Sequence, residues 1–396
     1  MQLRHCRNYH DFRELARRRL PGPIFDYIDG AADDEVTYRR NTRSFDECDL
    51  VPNVLRGVDA VDLSVTIMGQ RLAMPVYCSP TALQRLFHHQ GERAVAAAAA
   101  KYGTMFGVST LGTVSMEELR KQYFTPQVYQ FYFHKDRGLN RAMMQRAKET
   151  GIDVMMLTVD SITGGNRERD LRTGFSIPLK LTPRGMLQFA LRPKWAIDYL
   201  AHERFALPQL EGHVDFAGDA VSIGRYFTEM LDPSMSWDDV AMMVREWDGQ
   251  FCLKGVMSAN DAKRAAEIGC TGIVISNHGG RQLDGSRAAF DQLAEIVDAV
   301  GDRLDVMMDG GVQRATHVLK ALSLGAKAVG IGRFYLFALA VAGQAGVERA
   351  LALMRAELER DMKLMGCRSV GNLSRENLRF RSISDPADSR HRADRG

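Results

Sequence analysis

Eight short apolar segments, alternating with segments of helical periodicity, recur along most of the chain. Their apolar and β-branched content predicts strands at Met74–Ser79, Thr104–Ser109, Gln127–Phe131, Asp153–Val159, Gln250–Lys254, Gly272–Ser276, Asp305–Met308 and Ala328–Ile331. Apolar residues at helical spacing predict helices between them, at Gly91–Tyr102, Ser115–Gln122, Asp136–Thr150, Ala259–Ile268, Phe290–Val300 and Thr316–Leu324. Such alternation is typical of a parallel sheet covered by helices, and eight repeats are the number that closes a TIM barrel. The periodicity alone also allows an open, Rossmann-like sheet.

The spacing of the predicted strands divides the chain into regions. The gap between the fourth and fifth strands is several times longer than the others, so we expect an insertion at about residues 170–237. The predicted organisation is an N-terminal helical extension at 1–71, a barrel at 72–370 and a basic, flexible tail at 371–396. The predicted fold class is therefore α/β, a TIM (β/α)8 barrel with an N-terminal helical extension and a long insertion after strand 4.

Charge and composition exclude several functional classes. The chain has 52 Lys and Arg against 49 Asp and Glu, and a net charge of +3 argues against a nucleic-acid partner. We recognise no signal peptide at the N-terminus and no apolar stretch of the ~18 residues needed to span a bilayer, which predicts a cytoplasmic protein. Six cysteines without CxxC pairs predict reduced, mostly buried thiols, and we expect no metal site.

Each predicted strand ends in a polar residue or a glycine. In strand order these are Ser79-Pro80-Thr81-Ala82, Ser109-Thr110, Gln130 and Tyr132, Thr158 and Asp160, Lys254, Ser276-Asn277-His278, Asp309-Gly310-Gly311 and Gly332-Arg333. The carboxyl ends of barrel strands form one rim, where barrel enzymes carry their active sites. A purely structural barrel has no reason to repeat this pattern at all eight strands. The pattern therefore predicts a functional site at that rim.

Two of these strand ends predict a phosphate site. The DGG segment at 309–311 and the GIGR segment at 330–333 supply glycines and Arg333 at the seventh and eighth strands, where barrels commonly hold phosphate. Glycine allows backbone N–H groups to approach an anion closely. Lys254 ends an otherwise apolar strand, and it fits equally well a lysine that reaches solvent or one that serves a buried anion.

The segment SNHGGRQLDG, residues 276–285, carries the strongest functional signal. It places His278 and Arg281 on one loop at the end of the sixth strand. Histidine accepts protons near neutral pH, and arginine binds carboxylates through two hydrogen bonds. This loop therefore predicts a base beside a carboxylate-binding group.

Through this segment and other motifs along the sequence, the chain resembles the FMN-dependent 2-hydroxy-acid dehydrogenase family. That family includes glycolate oxidase, flavocytochrome lactate dehydrogenase, membrane-bound bacterial L-lactate dehydrogenase and mandelate dehydrogenase. The resemblance extends from about Tyr9 to Gly366. In order, its motifs are FDYIDGAADDE, SPTALQRLFH, VSTLGTVSMEE, YQFYFHKDR, LTVDS, NRERD, LKGV, SNHGGRQLD, DGGV and GIGR.

The resemblance implies roles for residues at the rim. His278 would be the base, Asp160 would stabilise its imidazolium, and Tyr132 would hydrogen-bond near the reacting hydroxyl. Arg281, Arg167 and Tyr27 would bind the substrate carboxylate. Lys254 would stabilise negative charge on reduced FMN. The remaining implied contacts to FMN are Pro80, Thr81, Ala82, Ser109, Gln130, Thr158 and Ser276 for the flavin, and Asp309, Gly310, Gly311, Gly332 and Arg333 for the ribityl phosphate.

One position departs from the family pattern. Gln313 stands where the family usually has an arginine that reaches the FMN phosphate, and Arg314 follows it. Phosphate binding would then depend on Arg333 alone, or Arg314 would substitute. We expect FMN to be bound, but less tightly.

Substrate and electron acceptor are less constrained. Leu111 stands where glycolate oxidases carry tryptophan, which favours L-lactate, with aromatic acids such as mandelate second. Quinone, cytochrome or O2 would accept the electrons, and we recognise no fused cytochrome domain.

An oxidase that makes hydrogen peroxide is one alternative function, and a non-catalytic flavin- or phosphate-binding barrel is another. Family members are commonly tetrameric, so we expect a homotetramer.

The insertion mixes apolar and basic residues in a pattern that fits the surface of an anionic membrane. The residues concerned are Met186, Leu187, Phe189, Leu191, Trp195, Ile197, Leu200, Lys180, Arg184, Arg192 and Lys194. A lid over the site or an oligomer contact is the alternative. The resulting expectation is a cytoplasmic enzyme in possible peripheral contact with the inner membrane face.

Overall fold

The eight predicted strands form one closed parallel barrel. In this computed structural model, the structure describes residues 2–175, 183–211 and 229–381. The strands, in chain order, are β1 Cys48–Leu50, β2 Val65–Ile67, β3 Gln70–Leu72, β4 Val76–Cys78, β5 Phe106–Ser109, β6 Gln127–Phe131, β7 Val154–Thr158, β8 Gln250–Val256, β9 Gly272–Ile275, β10 Asp305–Asp309, β11 Ala328–Ile331 and β12 Leu378–Phe380. Strands β4 to β11 close because β11 pairs in parallel with β4, with Val329 opposite Val76. The predicted TIM barrel is confirmed, and closure excludes the open sheet.

A helix covers each barrel strand. The helices, in chain order, are α1 Tyr9–Arg19, α2 Gly22–Asp29, α3 Val36–Arg43, α4 Gly91–Tyr102, α5 Met116–Gln122, α6 Arg137–Glu149, α7 Glu168–Thr173, α8 Pro183–Ala190, α9 Pro193–Ala201, α10 Trp237–Trp247, α11 Ala259–Glu267, α12 Ala289–Val300, α13 Ala315–Ser323 and α14 Arg333–Met365. Side-chain caps begin several of them: Asp136 accepts from the amides of Gly138 and Leu139 before α6, and Ser258 accepts from Asp261 before α11. These caps explain why the predicted starts lie close to the observed ones.

A short hairpin closes the N-terminal end of the barrel. Strands β2 and β3 pair antiparallel, and the turn between them carries buried Met68. The Met68 amide donates to Asp305 at the start of β10, and Met68 packs with the barrel-interior residues Tyr77 and Met156. Because this end is filled, the site must open at the other rim.

The N-terminal extension crosses the outside of the barrel to reach that rim. Tyr9 on α1 packs edge-on against Phe334 and Phe337 of α14, with ring centroids 5.9 and 5.6 Å away. Farther along, the side chains of Asn41 and Asn277 exchange hydrogen bonds of 2.8 and 2.7 Å. The extension therefore contributes side chains beside the loop that carries His278.

The C-terminal segment joins the fold further than expected. Strand β12 pairs antiparallel with β1, and Arg381 forms an ion pair of 2.7 Å with Asp49. The expected flexible tail therefore does not begin at residue 371, because backbone pairing holds 378–380 against the extension. Residues 382–396 lie outside the described residues.

Helix α14 is long and apolar enough to cross a membrane, but its environment is that of a core helix. In the most apolar 18-residue segment of this helix, 61% is buried inside the protein. The helix packs on α4 and α1. Residues Ala342 and Gly343 depart from helical geometry and kink the helix. It thus serves as the eighth barrel helix, continued beyond the usual length.

A long insertion follows β7, the fourth barrel strand, as the predicted fold class states. Helices α7, α8 and α9 follow β7, and the chain returns to the barrel at Leu210, which is fully buried. A bridge between His134 and Leu231 marks the resumption of the barrel before α10. Lys180 lies outside the described residues, and the side chains of Arg184 and Met186 are likewise not described.

Candidate active site

A cavity opens at the C-terminal rim, and nearly all of the predicted site residues line it. Its wall includes Tyr27, Pro80, Thr81, Ala82, Ser109, Gln130, Tyr132, Thr158, Arg167, Lys254, His278, Arg281, Asp309, Gly310, Gly311, Gly332 and Arg333. The two other predicted residues, Asp160 and Ser276, stand directly behind this wall and bond to residues in it. The structure therefore brings the whole predicted set together.

His278 and Asp160 form a hydrogen-bonded pair. Nδ1 of His278 lies 3.0 Å from Oδ1 of Asp160, which leaves Nε2 for a ligand in the cavity. His278 adopts a left-handed backbone conformation with φ of 56°, and its amide donates to Ser276 Oγ. Gly255 permits the close approach of Asp160, because a Cβ at Gly255 would lie 2.6 Å from the Asp160 side chain.

The charge of the Asp160 carboxylate is maintained despite its burial. Burial raises its pKa, but the charge of His278, the hydrogen bond from His278 and the charge of Lys254 outweigh this, so that the pKa is lowered overall. Ser161 Oγ donates a hydrogen bond of 3.0 Å to the same carboxylate oxygen. An ionised Asp160 is therefore in place to stabilise a protonated His278.

Two guanidinium groups flank the ring of Tyr27. The Cζ atoms of Arg281 and Arg167 lie 4.9 and 5.2 Å from its ring centroid. Burial, and next the charge of Arg167, lower the pKa of Arg281 to about 10. Two adjacent, partly buried cations favour the binding of an anion between them, and a carboxylate matches the geometry of guanidinium groups.

Lys254 is a buried cation and does not reach solvent. The residue is 5% exposed; Nζ donates to Ser276 Oγ at 2.9 Å and pairs with Asp309 at 3.2 Å. Burial lowers its pKa, but the charges of Asp309 and Asp160 raise it overall. Of the two interpretations left open by the sequence, the structure supports a lysine that serves a buried anion.

The wall near the barrel axis fits a flat, polar-edged ring. Ser109 Oγ donates to Gln130 Oε1, and Gln130 Nε2 donates to Thr158 Oγ1, each at 2.9 Å. These bonds fix the amide orientation of Gln130 at the cavity. At Gly332 an added Cβ would meet only Thr81, at 4.0 Å, so its backbone faces open space. Buried Lys254, the fixed amide and the exposed glycine backbone together fit a flavin that carries a phosphate.

Gln313 and Arg314 lie in different surroundings. Arg314 forms a 2.7 Å ion pair with Glu357 and does not line the cavity. Gln313 lines the cavity and donates to Thr42 Oγ1 at 3.2 Å. Arg333 also lines the cavity, with its guanidinium bonded to three backbone carbonyls.

Some wall residues were not predicted. Tyr38 and Thr42 reach the cavity from α3, and no sequence pattern connects that helix with the rim. Gln282 donates to the carbonyls of Asp160 and Thr163, at 3.0 and 2.9 Å, and so fixes the loop after β7. Its position one residue after Arg281 was the available signal for a role at the site.

Comparisons with known proteins agree with this geometry. The model of the FMN-dependent dehydrogenase family matches residues 16–380. An L-lactate dehydrogenase of Caulobacter vibrioides is 41% identical, over 92% of this chain and 95% of that protein. An L-lactate oxidase of a Nostoc species is 39% identical, over 92% and 96%. The crystal structure of a monotopic membrane protein, (S)-mandelate dehydrogenase, superposes with a TM-score of 0.90 at 32% identity, covering 95% of this chain and 100% of that one.

The family match extends over most of the chain, and both relatives are more than one-third identical to it. The cavity wall independently offers a buried lysine, a fixed amide and exposed glycine backbone where a flavin nucleotide fits. The chain therefore belongs to the FMN-dependent dehydrogenase family and is an FMN-dependent oxidoreductase.

Proposed function

We propose that this enzyme oxidises an L-2-hydroxy acid to the 2-oxo acid, with L-lactate as the favoured substrate and a quinone or cytochrome as electron acceptor. The observation that carries the proposal is that one cavity wall holds both a base and an anchor for an anion. His278, backed by Asp160, and the guanidinium groups of Arg167 and Arg281 all face this cavity. Oxidation of a 2-hydroxy acid requires both, a base for the proton and an anchor for the carboxylate.

The two arginines would orient the substrate. Arg281 and Arg167 bind its carboxylate, and this anchoring directs the 2-hydroxyl carbon towards His278. Arg281 Nη1 also donates to the backbone carbonyl of Tyr27 at 2.6 Å, which holds the guanidinium in position before substrate arrives. The anchor is therefore preorganised, and less freedom is lost on binding.

His278 would move the proton. Its Nε2 accepts a proton from the hydroxyl or from the Cα–H of the substrate, and the Asp160 carboxylate stabilises the imidazolium that results. Burial, and next the charge of Asp160, raise the pKa of Tyr132, which keeps its phenol neutral and able to donate a hydrogen bond. Tyr132 thus supports the reacting oxygen without competing as a base.

Bound FMN supplies the two-electron acceptor. The residues that would hold its ring include Ala82, Gln130 and Lys254, and those at the phosphate end include Gly332 and Arg333. Lys254 is placed to neutralise negative charge that develops on this side of the cavity, because its own charge is buried and maintained.

The preference for L-lactate is supported by the side chain at position 111. Leu111 is 3% exposed and lines the cavity with an aliphatic surface. Its size suits a short side chain, and the two curated relatives described above are named for L-lactate. The similarity to (S)-mandelate dehydrogenase makes mandelate the second candidate.

The surface of the insertion supports contact with a membrane. Such contact would favour a membrane-bound electron acceptor over O2. Helices α8 and α9 and the turn between them expose large apolar side chains, which we call the apolar insertion patch: Leu187, Leu191, Ile197 and Leu200. Arg192 lies in that turn and Lys194 in the first turn of α9, and both would add positive charge for anionic lipid. The structural relative (S)-mandelate dehydrogenase is itself described as a monotopic membrane protein.

The opposite face of α9 packs on the barrel. Trp195 Nε1 donates to the Leu86 carbonyl at 2.8 Å, and its ring stacks on Tyr199 and Phe189. Because one face of α9 packs on the barrel, the exposed apolar residues of the insertion are available to contact lipid. We further propose, from the family resemblance, a cytoplasmic homotetramer at the inner membrane face.

Anaerobic bleaching of the purified yellow enzyme tests this function. We expect L-lactate to bleach the flavin faster than L-mandelate or glycolate, and admission of air to restore the colour slowly. Rapid return in air would make the enzyme an oxidase, and faster bleaching by mandelate would reverse the substrate order. A loaded flavin that none of the three acids bleaches would contradict the proposed chemistry.

A further inference from the structure

A cluster of histidines joins the insertion to the barrel away from the catalytic cavity. His88 and His89 follow the 3-10 turn at Gln84–Leu86, in the loop after β4. They face Asp198 on α9, so the cluster spans two parts of the chain more than a hundred residues apart. None of these three residues lines the cavity described above.

The donor atoms of this cluster converge. One ligand atom from each of His88, His89 and Asp198 lies within 4.8 Å of the others. Nδ1 of His89 is 2.9 Å from Oδ1 of Asp198, and the rings of His88 and His89 are 4.4 Å apart at their centroids. Two imidazoles and one carboxylate are a donor set typical of transition-metal sites.

The cluster is partly open to solvent. The side chains of His89 and Asp198 remain 27% and 33% exposed, which gives an ion a path from solvent.

We propose that His88, His89 and Asp198 bind one divalent transition-metal ion, with zinc favoured. Water would complete a tetrahedral shell, because the protein offers three ligands. No spacing in the sequence predicted this site, because Asp198 meets His88 and His89 only when the insertion folds onto the barrel.

Neighbouring residues define which ion fits. His202 stacks on His89 with a centroid distance of 3.7 Å and an interplanar angle of 6°, and so holds that ring in its plane. Arg19 lies within electrostatic reach of His88 and Asp198 and disfavours any cation. Calcium and magnesium, which prefer oxygen ligands, would not overcome this repulsion, whereas an ion that bonds strongly to imidazole nitrogen would.

The metal would fasten the insertion beside the substrate site. Trp195 on α9 already bonds to the Leu86 carbonyl, and Phe87 stacks on Tyr27 with centroids 6.3 Å apart. The hydrogen-bonded pair of His89 and Asp198 also joins α9 to this loop, and a metal bound by His88, His89 and Asp198 would replace that pair with bonds to one ion. The zinc-loaded insertion should therefore resist tryptic cleavage after Lys194 better than the metal-free one, whereas Arg192 precedes Pro193 and is not cleaved.

Equilibrium dialysis of full-length, FMN-loaded enzyme against zinc tests the proposal independently of any substrate. We expect one zinc per chain, and roughly tenfold or more weaker binding in His89→Gln and in Asp198→Asn. His10→Gln removes an exposed histidine outside the cluster and should bind zinc as wild type does. Flavin content and melting temperature identify any variant that has not folded, and Asp198→Asn keeps a hydrogen-bonding group of the same size.

The outcomes separate clearly. If zinc slows tryptic cleavage of the insertion in wild type but not in Asp198→Asn, the result supports a metal that joins α9 to the loop after β4. The proposal is overturned if wild type, His89→Gln and Asp198→Asn bind zinc equally, or if none of them binds it. The cluster would then be a hydrogen-bonded pair beside a partly buried histidine.

Discussion

The barrel rim and the insertion use opposite kinds of contact. At the rim, polar and charged side chains are largely buried and bond to one another between strand ends, as Lys254 does with Asp309 and His278 with Asp160. The insertion exposes large apolar side chains such as Leu191 and Ile197, and its contacts to the barrel run mainly from side chains to backbone carbonyls, as at Trp195. The rim holds its polar side chains in bonded pairs, whereas the insertion exposes apolar surface.

This difference predicts separable responses to mutation. Buried charges at the rim have no solvent to replace a lost partner, so a change there alters chemistry strongly. Exposed apolar residues of the insertion contribute little to folding, so a change there alters what the enzyme binds. Each variant below affects one region and is measured against the other.

The largest effect is expected at His278. His278→Gln removes the base but keeps a polar side chain, and the rate of flavin bleaching by L-lactate should fall roughly thousandfold. FMN content and vesicle binding should match the wild type, because neither depends on the imidazole. A loss smaller than about tenfold would assign the proton transfer to another group.

The next effect is expected in the apolar insertion patch. Replacing Leu191 and Ile197 together by serine should weaken binding to anionic vesicles roughly a hundredfold, since two large apolar side chains are no longer buried in lipid. Turnover with a soluble dye acceptor should not change.

A matched control uses exposed apolar residues elsewhere. Val54 and Leu55 are 76% and 100% exposed in the extension, and the double serine variant there should bind vesicles as wild type does. Equal loss in both double variants would mean that lipid binding reflects general surface hydrophobicity. No loss in either would remove membrane contact from the function.

The sequence predicted the rim better than the insertion, for a physical reason. A buried strand and its covering helix each leave a local periodicity, so strands such as β6 and β11 and helix α4 were predicted at their observed bounds. The polar strand ends then met because parallel strands share one rim. The apolar and basic composition of the insertion showed an unusual surface, but not which face packs on the barrel.

Few contacts of the N-terminal extension could be predicted, and Tyr27 was placed at the rim only through the family resemblance. Asn41 meets Asn277, and strand β1 meets β12, only after the barrel has closed. The Arg-rich composition after residue 371 indicated a flexible tail, and it contains no signal for the pairing of β12. Such long-range contacts depend on the assembled fold rather than on local pattern.

An intermediate effect is expected where the extension meets the start of the insertion. Asp29 is fully buried and pairs with Arg13 at 2.5 Å and with Arg169 at 2.9 Å. Tyr27 and Arg167 lie two residues from this network. Asp29→Asn should raise the KM for the hydroxy acid about tenfold with a smaller change in kcat, because the two substrate-binding residues lose their shared support.

The same variant has a pH signature. Burial raises the pKa of Asp29, but the hydrogen bond and charge of Arg13 outweigh this and lower it below its unfolded value of about 3.9. The stabilisation is therefore present above that pH and is lost as pH falls through the folded pKa. The difference in unfolding free energy between wild type and Asp29→Asn should be about 3 kcal/mol at neutral pH and should shrink in acid. A constant difference across this range would mean that the effect is steric.

The smallest effect is expected at the phosphate end of the rim. Gln313 lines the cavity, so Gln313→Arg places a second cation near the phosphate of FMN and should lower its dissociation constant several-fold. The gain is limited because Arg333 already carries positive charge on that wall, and a second guanidinium must be desolvated beside it. Fluorescence recovery of released FMN measures the constant.

Arg314→Gln is the matched control for this change. It removes an arginine one residue away that pairs with Glu357 outside the cavity, and it should leave FMN affinity unchanged. Both variants should bind vesicles as wild type does, since neither touches the insertion. If Gln313→Arg gains no affinity, the phosphate is already satisfied by Arg333 and glycine backbone. If Arg314→Gln loses affinity, the side chain of Arg314 leaves Glu357 for the phosphate, and the rim is less rigid than its buried pairs indicate.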